Sequence, residues 1–198
     1  MPVKGGGRVG ASSLRRQSMI RTYGDGLEPT LLRGNVPTRV EKCRRGDYAA
    51  VIVASAGITR LELGLSGLAV FELLPQVWIP APGQAVLGVE IREDDQDARD
   101  AVAPVDDTES RQCVRIEREL LQRFEGGCHE AFGAWATREG AKMVVRLGHE
   151  DSHGRWRSVV ATGEDEALLV ESAFTELRHE MLAEPHGTAA EAICCALG

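Results

Sequence analysis

Long hydrophobic runs and aromatic residues are both scarce in this 198-residue sequence. No stretch approaches the roughly 20 apolar residues that a membrane-spanning helix needs, and the N-terminus lacks the apolar core of a signal peptide. Aromatic residues make up 5% of the chain, and Tyr23 and Tyr48 are the only ones within residues 1–60. We therefore expect a soluble, cytoplasmic protein that does not bind membranes.

Cysteine is also sparse, and its spacing argues against two common kinds of small domain. The chain has 5 cysteines, an odd number without paired metal-type spacing, which predicts neither a disulfide framework nor a metal site. Four of them fall in predicted helices, whereas Cys128 follows Gly126-Gly127 in a predicted loop. Two glycines before a cysteine most often mean a helix C-cap. Taken alone, Cys128 is therefore a weak candidate for a reactive thiol.

Positive charge is concentrated at the start of a chain whose net charge is −7. Residues 1–60 hold 11 Lys and Arg against 4 Asp and Glu, whereas residues 61–198 hold 12 against 26. The first part is therefore the predicted anion-binding face. Nucleic acid is not the favoured anion, because this part has few aromatic residues for base stacking and its arginines do not form one stripe.

The first part of the chain alternates between predicted strands and helices. Ser12 or Ser13 can cap one helix, and Asn35 can cap another that has Pro37 in its first turn. Such alternation predicts a mainly parallel sheet covered by helices on both faces. The predicted strands are residues 8–11, 31–32 and 47–54, and the predicted helices are residues 14–23, 36–46 and 57–60.

Ligands of parallel sheets bind at the carboxyl ends of the strands, where helix N-termini present free N–H groups. The sequence places Ser12, Ser13, Asn35 and Gly57 at this edge. Nearby arginines offer fork-shaped donors that match carboxylates. Any one of them alone could be a solvated surface arginine, but the set recurs at three successive strand-to-helix turns. Its members are Arg15, Arg16, Arg33, Arg39 and Arg60.

The rest of the chain predicts a different architecture. After Trp78, an irregular stretch leads to a predicted strand at residues 85–91, and a helix at residues 106–124 is capped by Asp107 or Thr108. Three segments joined by turns then predict an antiparallel meander, and two helices would cover one face of it. The meander strands are residues 131–138, 142–150 and 155–162, and the helices are residues 165–183 and 188–197.

Four strings together resemble the porphobilinogen deaminase family, also called hydroxymethylbilane synthase. They are Ser12-Ser13-Leu14-Arg15-Arg16, Arg33-Gly34-Asn35-Val36-Pro37-Thr38-Arg39, Pro80-Ala81-Pro82-Gly83-Gln84 and Gly126-Gly127-Cys128. The resemblance implies a periplasmic-binding-protein-like three-layer α/β domain with a mainly parallel sheet. A smaller α/β domain with a three-stranded antiparallel sheet and covering helices would follow. The implied divisions are a carboxylate-binding domain at residues 1–77, a crossover segment of another domain at 78–97, and a cysteine-bearing domain at 98–198.

The resemblance also implies a transferase reaction in tetrapyrrole biosynthesis. Four porphobilinogen molecules would be joined into hydroxymethylbilane with release of ammonia, on a dipyrromethane cofactor attached covalently through Cys128. The implied partners are porphobilinogen and linear polypyrroles. Implied cofactor-binding residues are Cys128, Ser13, Arg15, Arg16 and Gly57. Implied substrate-binding residues are Arg33, Arg39, Arg60 and Gln84.

The sequence departs from the family pattern in one respect that bears on catalysis. Family members carry a further N-terminal stretch with a His-Ser-x-Lys-Asp motif, whose aspartate is the acid and base, and this sequence contains no such motif. Smaller departures are Ala11, Ala85 and Ala131. We expect no catalytic residue in this chain, no activity by the chain alone, and a separate N-terminal half as a partner. The alternatives are a non-catalytic module that binds polycarboxylates or tetrapyrroles, and an unrelated α/β protein.

Overall fold

The computed structural model of the chain describes residue 3 and residues 5–124 and 130–183. The first region, residues 5–60, alternates short strands with helices as predicted. The predicted bounds of the first helix, residues 14–23, are confirmed. The elements are β1 Arg8–Gly10, α1 Leu14–Tyr23, β2 Glu28–Thr30, α2 Val36–Arg44, β3 Ala50–Val51 and α3 Ser55–Arg60.

The three strands of the first region form a parallel sheet in the order β2-β1-β3. Val9, at the centre of β1, pairs with Pro29 on one side and with Ala50 on the other. Val9 is buried together with Ala11, Ile20 and Leu27 in a small core. The predicted parallel sheet is therefore confirmed, and each strand leads towards a helix at its carboxyl end.

Two predicted strands of this sheet are misplaced or too long. The strand predicted at residues 31–32 lies instead at Glu28–Thr30, and the buried Leu32 side chain packs below Gly10 after the chain has left the sheet. Of the strand predicted at residues 47–54, only Ala50–Val51 belongs to the ladder. β1 has only three residues with which a neighbouring strand can pair. A longer apolar run in that neighbour therefore cannot lengthen the ladder beyond the ends of β1.

A middle segment, residues 61–107, contains little regular structure. It includes helix α4 Gln96–Val102 and a short 3-10 helix at Ala103–Val105. The strand predicted at residues 85–91 is wrong, since Ala85 has a φ of 76° and lies in a run of turns. A positive φ is incompatible with extended pairing. The apolar side chains beyond this turn are exposed, and Leu87 retains 81% of its surface.

The second region, residues 108–183, is an antiparallel sheet covered by two long helices. The predicted meander is confirmed within one residue at each strand end, and the strand order is β4-β5-β6. Asp107 and Asp165 accept hydrogen bonds from backbone N–H groups at the starts of the helices, as N-caps do. The elements are α5 Thr108–Arg123, β4 Phe132–Glu139, β5 Lys142–Glu150, β6 Trp156–Gly163 and α6 Glu166–Leu182.

The largest core of the described residues lies between this sheet and its helices. Leu120 of α5 and Leu177 of α6 have no exposed surface and meet Val145 and Leu147 of the central strand. Burying one such side chain contributes about 1.5–3 kcal/mol. The second helix predicted to cover this face, residues 188–197, lies outside the described residues.

Helix α1 joins the two regions. Its Met19 packs with Ile79 and Trp156 in a shared apolar cluster, and the backbone N–H of Trp156 donates to Thr22 Oγ1 at 2.7 Å. Beside it, the Ala134 N–H of β4 donates to Pro80 O at 3.1 Å. The start of α1 is thus fixed relative to both sheets. No helix within the described ranges is long and apolar enough to cross a membrane.

Candidate functional site

The carboxyl edge of the parallel sheet carries the candidate site. Helix α1 begins after β1, with Ser13 as its N-cap residue in an extended conformation. Helix α2 begins after β2, where Asn35 Oδ1 accepts the Thr38 N–H at 3.0 Å. Helix N-termini carry partial positive charge, so this edge favours anions.

Three arginines, Arg15, Arg16 and Arg39, form what we call the arginine cluster. Arg16 Nη1 donates to Ile52 O at 3.3 Å, and Arg39 donates to Gly34 O at 2.8 Å and to Ser12 Oγ at 3.1 Å. Burial, and then the neighbouring charge of Arg39, lower the pKa of Arg16. The guanidinium groups of Arg16 and Arg39, which belong to different helices, therefore lie close together at the carboxyl edge of the sheet.

Arg15 is the most deeply buried member of the cluster, with 4% of its surface exposed. Its guanidinium donates to Ile79 O and, at 3.3 Å, to Gln84 Oε1. Burial, and then the charge of Arg16, lower the pKa of Arg15 to about 10, which leaves it cationic at neutral pH. A Cβ added at Gly133 would lie 3.0 Å from Arg15 Cδ and 3.0 Å from Pro80 O, so Arg15 packs closely against β4.

The cluster has no carboxylate counter-charge among the residues that the structure describes. Within the described ranges, none of its three guanidinium groups lies in a salt bridge with a carboxylate. Their protein partners are backbone carbonyls, one serine hydroxyl and one glutamine amide. A buried charge such as that of Arg15 is normally paired, and the partly buried Arg16 and Arg39 lie beside it, so the arrangement is suited to receive carboxylates from a ligand.

The other predicted site residues occupy different positions. Arg33 is exposed, and its backbone carbonyl accepts a hydrogen bond from Lys42. Arg60 is exposed in the last turn of α3, away from the start of that helix. Gly57 lies in the first turn of α3, and a Cβ there would meet Val36 Cγ2 at 3.0 Å, so the glycine permits close packing between helix starts.

Gln84 joins the cluster through its contact with Arg15. The side-chain oxygen of Gln84 accepts from both Arg15 and the Ala81 N–H, each at 3.3 Å. This contact makes Gln84 a partner of an arginine in the absence of ligand. Cys128 belongs to residues 125–129, which lie outside the described residues.

One group near the site was missed by the sequence analysis. Glu117 of α5 is buried, with 5% of its surface exposed, and accepts N–H groups from Gly83 at 2.6 Å and from Ala136 at 2.8 Å. Burial raises the pKa of Glu117 despite these two hydrogen bonds. The helical spacing of Cys113, Glu117 and Leu120 would have indicated a carboxylate on the core-facing side of α5.

Comparisons with known proteins agree on one family. The family model described as "Porphobilinogen deaminase, dipyromethane cofactor binding domain" matches residues 2–100. A porphobilinogen deaminase of Roseiflexus sp. (strain RS-1) is 46% identical over 142 residues, which cover 71% of this chain and 46% of that protein. One from Xanthomonas campestris pv. campestris (strain ATCC 33913) is 37% identical over 189 residues, covering 90% of this chain and 60% of that protein. The chain thus spans about half the length of the curated relatives it matches.

Proposed function

The chain belongs to the porphobilinogen deaminase family, and from this premise we propose that it binds the carboxylates of a growing pyrrole chain during hydroxymethylbilane assembly. The observation that carries the proposal is the arginine cluster, in which the buried Arg15 and the partly buried Arg16 and Arg39 have no carboxylate partners in the described part of the chain. Each porphobilinogen ring bears an acetate and a propionate group. Arginine is the side chain best suited to hold such groups in a defined orientation.

The cluster fits the dipyrromethane cofactor that the family model names. Arg15, Arg16 and the N-terminus of α1 complement the carboxylates of two linked rings, and Arg39 beside them would meet the substrate. We propose that Cys128 holds the cofactor through a thioether, with its thiolate acting as the nucleophile in attachment. When bound, the cofactor would supply the free pyrrole carbon to which the first unit is joined, and later units would extend the growing chain.

The proposed roles of the residues differ with their surroundings. Arg15 is held by the protein on two sides and therefore orients a fixed ring, whereas the exposed Arg33 and Arg60 are free to reach incoming substrate. The proposed cofactor-binding residues are Cys128, Ser13, Arg15, Arg16 and Gly57. The proposed substrate-binding residues are Arg33, Arg39, Arg60 and Gln84.

We further propose the domain layout that the resemblance implies. Residues 1–77 would form a domain with the layout of a periplasmic binding protein, and residues 98–198 would form the cysteine-bearing domain. Residues 78–97 would cross into another domain. The exposed apolar side chains Val86, Leu87 and Val89 support this, because they are suited to pack against a complementary surface.

Proton transfer needs a group that the cluster does not supply. In the described ranges no Asp or Glu contacts the three clustered guanidinium groups, and the sequence has no His-Ser-x-Lys-Asp motif. We propose that an N-terminal half provides this acid and base, and that the chain alone does not consume porphobilinogen. General acid and base catalysis typically contributes about 10²–10⁴-fold.

A second function is favoured by the same lack of an acid near the cluster. The chain would then bind a linear tetrapyrrole or another polycarboxylate without turnover. The two functions differ in whether Cys128 becomes covalently modified and in whether a complementing N-terminal half restores porphobilinogen consumption.

Intact-mass measurement tests the covalent step. We expect the Cys128 thiol to displace the hydroxyl group of hydroxymethylbilane as water, so the purified chain should gain the mass of hydroxymethylbilane less one water, and Cys128→Ser should remain unmodified. Cys43→Ser, at a half-buried position of α2, is the matched control and should load as the original chain does. A folded chain that stays unmodified contradicts covalent attachment and favours non-covalent binding.

Calorimetric titration with porphobilinogen tests the arginine cluster. We expect Arg39→Ala to weaken binding about 10- to 100-fold, since hydrogen bonds to charged groups contribute about 1.5–3 kcal/mol. Arg45→Ala, at the far end of α2 and paired with Asp47, should bind as the original chain does. Equal losses in both variants would mean that binding depends on overall charge and not on the cluster.

A further inference from the structure

Glu117 is a buried carboxylate that the proposed reaction does not use. It lies on α5, and its two oxygens accept backbone N–H groups from Gly83 at 2.6 Å and from Ala136 at 2.8 Å. These donors belong to separate parts of the chain, one in the middle segment and one in β4. No cationic group in the described ranges forms a salt bridge with Glu117.

The Gly83 contact ties down a short loop, residues 79–84, which we call the arginine-holding loop. This loop supplies both acceptors of the Arg15 guanidinium, Ile79 O at one end and Gln84 Oε1 at the other. The loop also pairs with β4, where the Ala134 N–H donates to Pro80 O at 3.1 Å. One side of the loop therefore holds Arg15, and the other side is held by Glu117 and β4.

A carboxylate suits this position better than any other side chain of its length. Its two oxygens face two N–H donors that approach from different directions. Glutamine has one acceptor oxygen, so its amide nitrogen would place donor against donor at either Gly83 or Ala136. A buried donor left without a partner is costly, and the loop, unlike the strand, has little other structure to keep its N–H in place.

From this chain of contacts we infer that Glu117 is a positioning residue for Arg15, acting through the arginine-holding loop. Arg15 is oriented because Ile79 O and Gln84 Oε1 are fixed, and these are fixed because Gly83 is bound to α5. Only the statement that Arg15 meets a ligand carboxylate rests on the proposed function. The contacts that run from Glu117 through the loop to Arg15 are those of the full chain without ligand.

Arginine-specific labelling of the full chain with phenylglyoxal, read by mass spectrometry, tests the structural part. The rate at Arg15 is compared with that at the exposed Arg33 in the same sample. We expect Arg15 to be protected in the original chain, and Glu117→Gln to raise its relative rate about tenfold, the loss of ~1.4 kcal/mol. Glu109→Gln, an exposed position on the same helix, is the matched control and should leave the rate unchanged.

The labelling rate of Arg157 distinguishes a positioning role of Glu117 from partial unfolding of the protein. Its side chain is 14% exposed and lies in the second region, so partial unfolding would raise its labelling together with that of Arg15. Positioning requires that Arg15 alone becomes reactive. Glu117→Asp keeps both carboxylate oxygens and should restore part of the protection of Arg15. This variant replaces Glu117→Gln if Glu117→Gln does not fold. A folded variant in which Arg15 stays as protected as in the original chain, or in which Arg157 rises equally, overturns the inference.

Porphobilinogen titration of the same samples separates this inference from the proposed function. We expect Glu117→Gln to weaken binding by about the factor by which Arg15 labelling rises. An original chain that does not bind porphobilinogen, but shows Glu117-dependent protection of Arg15, would overturn the proposed function and leave the positioning role standing. Normal binding by a Glu117→Gln chain with an exposed Arg15 would overturn the functional part of the inference.

Discussion

The two sheets of this protein differ in how they are stabilised and in what they carry. The strands of the first sheet have 3, 3 and 2 residues, whereas those of the second have 8, 9 and 8. The second sheet encloses the larger core, while the first has a small one and shares an apolar cluster with its neighbour. The arginine cluster lies on the first sheet. The anion-binding edge therefore lies on the first region, which is less extensively packed. Its position depends on the packing of α1 against the second region.

The largest expected effect tests whether the second region stabilises the whole. Leu120 of α5 is fully buried in the main core, so Leu120→Ala should lower the free energy of unfolding by about 2–5 kcal/mol. Urea denaturation followed by circular dichroism measures this. Leu168→Ala, on α6 with 71% of its surface exposed, should change it by no more than about 0.5 kcal/mol. Similar losses in both variants would contradict the assignment of the main core.

A smaller effect with a defined pH dependence is expected at the β5–β6 turn. Burial would raise the pKa of Asp151, but hydrogen bonds from the Arg155 N–H, the Arg157 side chain and the His153 N–H outweigh it and hold the pKa below its usual range. A lowered pKa means that the carboxylate stabilises the fold above its unfolded-state pKa and that this contribution is lost as the pH falls.

We therefore expect Asp151→Asn to destabilise the protein by about 1.5–3 kcal/mol at pH 7, since it removes charge-assisted hydrogen bonds. Urea denaturation at several pH values should show the difference shrinking as the pH falls below about 4. Asp25→Asn, at an exposed position of the first region, should change little. A difference that stays constant down to pH 2 would contradict the role of the charge.

The smallest effect probes the contact between the regions. A Cβ at Gly133 would approach Arg15 Cδ and Pro80 O at 3.0 Å each, and Gly133→Ala should cost about 1–3 kcal/mol through overpacking. Thermal unfolding measures this loss. Gly64→Ala is the matched control, because a Cβ there meets no atom within 4 Å. An unchanged melting temperature for Gly133→Ala would show that the regions can separate slightly without loss of stability.

The second sheet could be predicted from sequence because its determinants are local. Its strands are long enough for their apolar pattern to repeat, and Gly140, with a φ of 64°, marks the turn between β4 and β5. The helix starts at Asn35 and Asp107 were predictable for the same reason, since a cap and its N–H partner lie three residues apart. The bounds of the short parallel strands could not be predicted in this way, because pairing with β1 sets where they begin and end and the local sequence pattern does not.

The candidate site shows the same limit. The sequence motifs brought Arg15, Arg16 and Arg39 to one edge, as strand-to-helix turns of a parallel sheet should. They could not show that Arg15 is held by groups 64 and 69 positions away. Nor could they show why Glu117 is buried, because its two N–H partners come from a loop and a strand distant in sequence.

The contacts along the outer edge of β4 also bear on self-association. The free edge of a sheet can recruit strands from other molecules and so promote aggregation. On β4, the outward N–H groups of Ala134 and Ala136 are already bound, by Pro80 O and by the Glu117 carboxylate. Neither acceptor extends the ladder, since proline has no N–H to offer and a side chain provides no further strand. The arginine-holding loop and Glu117 therefore also occupy two positions of this edge at which another chain could otherwise pair.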